Sequence, residues 1–119
     1  MSQITEVGVD LASRVIQVHA IDAHGRVVLA RPMKPERFVE WCTTLSAGTA
    51  VTMEACGGAH HMARRLSLLG LSVKLVAPPF VTPYRKQGAS GKNDANDAAA
   101  ICEAGSRPSM RFVPVKSAA

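Results

Sequence analysis

Three short apolar segments follow one another near the start of the chain, and this arrangement most limits the possible folds. Residues 4–10 read as a strand that ends on an aspartate. Residues 14–21 alternate apolar and polar side chains with a period of two, and residues 26–31 continue as a third strand. The intervening Asp-Ala-His-Gly at 22–25 is a turn signal. Strands this close in sequence predict an antiparallel meander.

Beyond the third strand, strands alternate with helices. Apolar residues at helical spacing predict two helices, and a third helix begins within GKNDANDAAAI at 91–101 and ends near residue 104. The helices before it are predicted over 36–45 and 60–69, with short apolar strands over 49–54 and 72–77. The order β-β-β-α-β-α-β-α predicts an α/β fold with a mixed five-stranded sheet.

Prolines and basic residues mark the segments outside these elements. Prolines at 32, 35, 78 and 79 are interpreted as breaks in the chain. Residues 80–93 form a basic loop that contains Pro and Gly, and residues 109–119 form a tail for which the sequence suggests no partner within the chain. The chain is interpreted as a single domain over residues 1–119.

Charge and cysteine content limit the functional classes. A net charge of +5 makes a polyanionic partner plausible. Cys42, Cys56 and Cys102 lie far apart without a Cys-x-x-Cys pair, which favours a reducing cytosol over a disulfide framework or a structural zinc site. No apolar run approaches the roughly 20 residues that span a bilayer.

Five of the nine acidic residues have simple structural explanations. One is expected to be solvated on the first strand, one fits the hairpin turn, and three lie on helices: Glu6, Asp22, Glu36, Glu40 and Glu103. The other four lie where ligands gather in α/β proteins, at strand ends or on the last helix: Asp10, Glu54, Asp94 and Asp97.

Two interpretations of these four carboxylates remain open from the residues alone. Asp94 and Asp97 suit the first turn of a helix, where the helix dipole favours acids and Asn93 is a good N-cap. Alternatively, residues three apart share one helix face, and all four acids converge on divalent ions. Hard oxygen ligands suit Mg²⁺ or Mn²⁺, and two ions about 3.5–4 Å apart would serve phosphodiester chemistry.

Three segments, VGVDLASRVIQVHAID, TMEACGGAHHMARRL and GKNDANDAAAI, closely resemble the N-terminal domain of the DEDD transposases of the insertion-sequence 110 family. The resemblance extends over nearly the whole chain. It implies a ribonuclease H-like (RuvC-like) fold, and it implies that Asp10, Glu54, Asp94 and Asp97 form a metal-binding acidic tetrad.

The same resemblance implies partners that composition does not reveal. Members of the family continue through a helical segment to a C-terminal domain that supplies a nucleophilic serine, so the chain is expected to be the first part of a longer protein. The expected partners are DNA, a bridge RNA that guides recombination, and further copies of the full-length protein. The expected location is the bacterial cytoplasm, at the nucleoid.

Basic residues beside the acidic helix are candidates for contact with nucleic acid. Arg85, Lys86 and Lys92 lie in the loop before that helix. Arg64 lies on the predicted helix that comes after Glu54 in the chain. Tyr84 is placed to stack on a base. For each of them the alternative is a solvated side chain.

Histidine and cysteine residues after the fourth strand invite two other interpretations. His60 and His61 are adjacent and point apart on a helix, so a zinc site is less favoured than helix capping, core packing or contact with Glu54. A nucleophilic pair of Cys56 with His60 lacks an evident orienting group. Two rival functions remain: a stand-alone RuvC-like Holliday-junction resolvase, and a non-catalytic module of the same fold.

Overall fold

The first three strands form the antiparallel meander that the sequence predicts. The structure is a computed structural model that describes residues 3–11, 14–85 and 94–117, without the side chain of Asp94. Strand β1 is Ile4–Leu11, β2 is Ile16–Asp22 and β3 is Val27–Met33. Asp22 closes the turn after β2, because its Oδ1 accepts hydrogen bonds from the backbone N–H groups of His24 (2.9 Å) and Arg26 (3.0 Å).

The second half of the chain adds two parallel strands. Helix α1 (Pro35–Cys42) leads to β4 (Ala50–Glu54), and helix α2 (Ala59–Ser67) leads to β5 (Ser72–Val76). The strand order is β3-β2-β1-β4-β5, with β4 parallel to both β1 and β5. This mixed five-stranded sheet confirms the predicted fold class and is compatible with a ribonuclease H-like fold.

Two proline-containing segments differ from the prediction. Strand β3 continues through Pro32 to Met33, since it lies at the edge of the sheet, where a residue without an N–H group is tolerated. After β5, Pro78 begins a short helix, α3 (Pro78–Val81), which continues into one 3-10 turn (Thr82–Tyr84). Proline is favoured in the first turn of a helix, so here it starts an element instead of only ending one. Part of the predicted loop 80–93 is therefore helical.

The sheet has two faces, which differ in what covers them. On one face, side chains from alternate positions of the strands pack with α1 and α2 in the main core, which includes Val7, Val9, Phe38, Met53 and Leu66. The final helix, α4 (Asp94–Ser106), covers the other face. We refer to these as the α1/α2 face and the α4 face. No helix in the described part of the chain is long and apolar enough to cross a membrane.

Two glycines allow α4 to approach the sheet closely. A Cβ atom on Gly8 of β1 would overlap the backbone of Ala98 and Cys102 in α4, and a Cβ on Gly105 would overlap Thr52 of β4. Backbone of the helix therefore lies directly against the strands. This close packing determines where the first turn of α4 lies relative to the ends of β1 and β4.

The tail has partners in the chain, contrary to the sequence-based expectation. The N–H of Val113 donates to the carbonyl of Leu75 (2.7 Å), which extends the sheet beyond the free edge of β5. Arg64 donates to the carbonyl of Lys116 (2.7 Å). The prediction failed because an edge strand offers backbone hydrogen-bonding groups, and these leave no mark in a side-chain pattern.

Glu6 is another correction, because it is half-buried instead of solvated. It lies on the α4 face, with its Oε1 3.9 Å from Nζ of Lys74 on β5. Burial raises the pKa of the Glu6 carboxyl group, and the charge of Lys74 partly opposes that shift. The sequence places Glu6 correctly on a strand but does not reveal the helix that covers it.

Candidate active site

Two of the predicted acids lie side by side at the ends of neighbouring parallel strands. Val9 of β1 pairs with Met53 of β4, so the next residues along the two strands, Asp10 and Glu54, are adjacent. Side chains alternate between the faces of a sheet. Val9 and Met53 belong to the core on the α1/α2 face, and Asp10 and Glu54 therefore belong to the α4 face.

The third predicted acid comes from the first turn of α4. Asp97 accepts a hydrogen bond on Oδ1 from Nε of Arg85 at 2.7 Å. The same guanidinium donates from Nη2 to Oε2 of Glu54 at 3.1 Å. One cation thus joins the end of β4 to the start of α4, and the two carboxylates share a single site.

This cluster is only partly exposed to solvent. The exposed fractions of the side chains of Arg85, Glu54 and Asp97 are 25%, 29% and 23%. The hydrogen bond that Arg85 donates to Asp97 raises the pKa of Arg85 above its ordinary value, against a smaller opposing effect of desolvation. Arg85 is therefore a permanent positive charge between two acids.

The other two acids of the predicted tetrad are placed less completely. Asp10 is half-buried at the end of β1 and takes part in an interaction of its own. Asp94 is the first residue of α4, one turn before Asp97, and its side chain lies outside the described part of the structure. Among the described side chains, no three His, Cys, Asp or Glu residues are gathered into a metal-binding group.

The donor chemistry of this cluster nevertheless fits a divalent cation. Glu54 and Asp97 offer hard carboxylate oxygens, which Mg²⁺ and Mn²⁺ prefer. Both carboxylates contact one positive group, the guanidinium of Arg85. The residues that could hold a metal are the two carboxylates that contact Arg85, with Asp10 from the adjacent strand and Asp94 from the same helix.

The residues predicted to contact nucleic acid are distributed around this cluster. Arg85 is engaged by the acids, and Arg64 contacts the tail through Lys116. Tyr84 is half-buried, with the guanidinium of Arg107 5.4 Å from its ring centre. Lys86 and Lys92 lie outside the described residues, so their roles stay predictions.

The histidines after β4 have other surroundings. Nδ1 of His60 accepts a hydrogen bond from the backbone N–H of Lys116 at 3.0 Å, so this ring contacts the tail. His61 and Cys56 are exposed. In the described part of the chain these three residues are not gathered into a metal group.

The sequence did not reveal the bridging role of Arg85. Its basic character beside an acidic helix was visible, but that pattern also suits a solvated loop or a phosphate contact. The only available signal was the close spacing in sequence of Arg85 and Asp97. Nothing in that spacing indicates Glu54 as the second partner.

The family model of the DEDD transposases of the IS110 group, described as "Transposase", matches residues 7–119. A probable family 20 transposase from Pseudomonas aeruginosa is 51% identical over 97% of this chain and 33% of its own length.

Two further relatives come from other bacteria. The transposase for insertion sequence element IS1111A of Coxiella burnetii is 45% identical over 98% of this chain and 31% of its own length. The transposase for IS1328 of Yersinia enterocolitica is 43% identical, over 95% and 33% respectively. The chain therefore spans about a third of the length of the relatives it matches.

Proposed function

The chain belongs to the DEDD transposase family of the IS110 group, and from this premise we propose that its acidic cluster is the divalent-metal site for cleavage and transfer of DNA strands during transposition. The observation that carries the proposal is the pair of carboxylates, Glu54 and Asp97, held around one cation beside Asp10. Acids from separate elements are brought together at the carboxyl ends of parallel strands, where α/β proteins bind ligands.

Asp10, Glu54, Asp94 and Asp97 would hold the metal. When bound, two divalent ions activate the attacking oxygen and stabilise the leaving oxygen of a phosphodiester. The chain itself supplies rigid placement: Asp10 and Glu54 lie on hydrogen-bonded strands, and Asp97 lies on a helix pressed against those strands. Such placement keeps carboxylates close together despite their mutual repulsion.

The surroundings of the site support a nucleic-acid substrate. Tyr84 lines a cavity of about 550 Å³ together with Phe80, Arg107 and Arg111, which combines aromatic surface with positive charge. Bases stack on aromatic rings and phosphates attract basic side chains. We propose DNA as the substrate, with Tyr84, Arg85, Lys86, Lys92 and Arg64 as contacts.

The remaining partners rest on the family alone. The matched relatives are about three times as long as the chain, and on the family resemblance we propose that strand transfer also needs a C-terminal serine domain. Guidance by a bridge RNA and assembly into a homo-oligomer are proposed on the same basis.

Metal titration tests the proposed site directly. We expect the 119-residue chain to bind Mg²⁺ or Mn²⁺ with a dissociation constant in the micromolar-to-millimolar range, measured by calorimetry. Asp10→Asn should weaken binding about tenfold or more, because even residues that only support metal ligands contribute that much. Glu103→Gln is the matched control, since Glu103 is an exposed acid on α4 that pairs with Arg107.

Two results would count against the proposal. Equal affinity in Asp10→Asn and the wild type would remove Asp10 from the metal site. Absence of binding by the wild type would favour a non-catalytic module of the same fold. Cleavage of branched DNA by the chain alone would instead favour a stand-alone resolvase.

A further inference from the structure

Arg85 is held by three hydrogen bonds that use all three nitrogens of its guanidinium. Nε donates to Asp97 (2.7 Å), Nη2 donates to Glu54 (3.1 Å), and Nη1 donates to Oγ1 of Thr82 (3.2 Å). The partners come from α4, β4 and the 3-10 turn. A surface arginine in a solvated loop would not be oriented by groups from three elements.

The two acids need a positive partner. Glu54 and Asp97 are both more than two-thirds buried, and two like charges at such a site repel each other strongly unless a cation lies between them. In the structure the guanidinium provides that cation, through the planar, forked geometry that suits carboxylates. A divalent ion held by the same pair would compete with the guanidinium for their negative charge.

We propose that Arg85 is the counter-ion of the metal-free site, and that a divalent ion binds Glu54 and Asp97 only by displacing its guanidinium. This inference rests on the proposed function, because it assumes that these acids bind metal. Under this proposal Arg85 has two effects. It holds the acids of β4 and α4 together in the absence of metal, and it lowers the affinity of the site for the metal. Arg85 is therefore a positioning residue of the site.

The experiment compares Arg85→Ala with Arg37→Ala in metal-free buffer and in titrations with Mn²⁺ alone. Arg37 pairs with Glu40 at 3.2 Å on α1, but both side chains are more than 70% exposed, so the same substitution there removes a pair of similar length without a buried partner. With EDTA present, Arg85→Ala should melt several degrees below the wild type, because two partly buried carboxylates lose their counter-ion. Arg37→Ala should have the same melting temperature as the wild type.

Metal affinity gives the decisive readout. We expect Arg85→Ala to bind Mn²⁺ about tenfold more tightly than the wild type, because the ion no longer competes with a hydrogen-bonded charge. The rise in melting temperature on adding Mn²⁺ should also be larger for Arg85→Ala, since the stabilisation of the folded state by a ligand increases with the logarithm of its affinity. Arg37→Ala should leave both quantities unchanged.

Arg85→Lys keeps the proposal testable if the alanine variant does not fold. Lysine retains the charge but lacks the fork that spans two carboxylates, so its Mn²⁺ affinity should lie between those of the wild type and Arg85→Ala.

Two failures are distinguishable. If the wild type binds Mn²⁺ and neither Arg85 variant binds it more tightly, the displacement is refuted while the metal site stands. If the wild type and both variants bind no metal, the proposed function is refuted and the displacement with it.

Discussion

The two faces of the sheet share the same strands, but strand β1 directs a different kind of side chain to each face. From β1, the α1/α2 face receives Val7 and Val9, whereas the α4 face receives Glu6, Gly8 and Asp10. A period of two separates these sets, so a single strand serves both a dry core and an acidic cluster. Changes on the α1/α2 face should therefore act mainly on stability, whereas changes on the α4 face should act on both stability and the candidate site.

The α4 face tolerates its polar groups because the helix brings backbone close to the strands. Lys74 donates to the carbonyl of Gly105 at 3.0 Å, and Thr52 lies against the same glycine. Among the described side chains, the two buried oxygens without a hydrogen-bond partner, Oε1 of Glu6 and Oγ1 of Thr52, belong to this face. Each such atom costs free energy of folding.

The largest expected effect is on the α1/α2 face. Phe38 is completely buried in the main core, so Phe38→Ala should lower the free energy of unfolding by about 3–5 kcal/mol, through lost apolar contact and a cavity. Urea denaturation measures it. Leu68→Ala is the matched control, because that side chain is 88% exposed. A loss from Phe38→Ala no larger than that of the control would mean that this face does not hold the fold together.

An intermediate effect is expected where α4 touches β1. Gly8→Ala adds one methyl group that overlaps the backbone of Ala98 and Cys102, and such overpacking typically costs about 1–3 kcal/mol of unfolding free energy. The displaced helix carries Asp97 away from Glu54, so Mn²⁺ affinity should also fall.

Gly57→Ala provides the control for that change, since a Cβ at Gly57 meets no atom within 4 Å. Urea denaturation and calorimetric titration measure the two quantities. If Gly8→Ala lowers stability but keeps the wild-type metal affinity, the close approach of α4 does not position the acidic cluster.

The smallest expected effect concerns Glu6, whose contribution to the stability of the folded protein should depend on pH. Because burial raises the pKa of Glu6 above the ordinary value of a glutamate carboxyl group, the folded protein holds this proton more tightly than the unfolded chain does. The stabilisation is complete below that value and is lost as the pH rises through the folded-state pKa. Glu6→Gln cannot titrate, so its stability relative to the wild type should be higher at neutral pH than at pH near 4.

Urea denaturation at several pH values measures this difference, and Glu36→Gln serves as the control because Glu36 is exposed on α1. A relative stability of Glu6→Gln that stays constant with pH would show that Glu6 is solvated, as its sequence context suggests.

Local patterns were sufficient for most of the fold. Alternation of apolar residues located β1 and β2, and the turn chemistry of Asp22 and Gly25 predicted the hairpin that the structure contains. The end of β4 was placed correctly and the end of β1 within one residue, so the adjacency of Asp10 and Glu54 follows from the sequence once the strands are known to be parallel neighbours. These features are local because they depend on period and on turn residues.

Other features required partners distant in sequence. The pairing of Val113 with Leu75 depends on which strand lies at the edge of the sheet. The burial of Glu6 depends on which face of the sheet α4 covers. The neighbouring residues in the sequence do not indicate these contacts.

Periodicity and turn chemistry act over a few residues, so they predicted the five strands, three of the helices and the positions of the acids along them, but not α3. The position of Arg85 between Glu54 and Asp97 is visible only in the folded chain. That contact requires a close approach of α4 to the sheet, which two glycines permit through the absence of side-chain atoms. The absence of a Cβ atom permits many positions of the helix on the sheet, and the packing of the remaining side chains selects one of them.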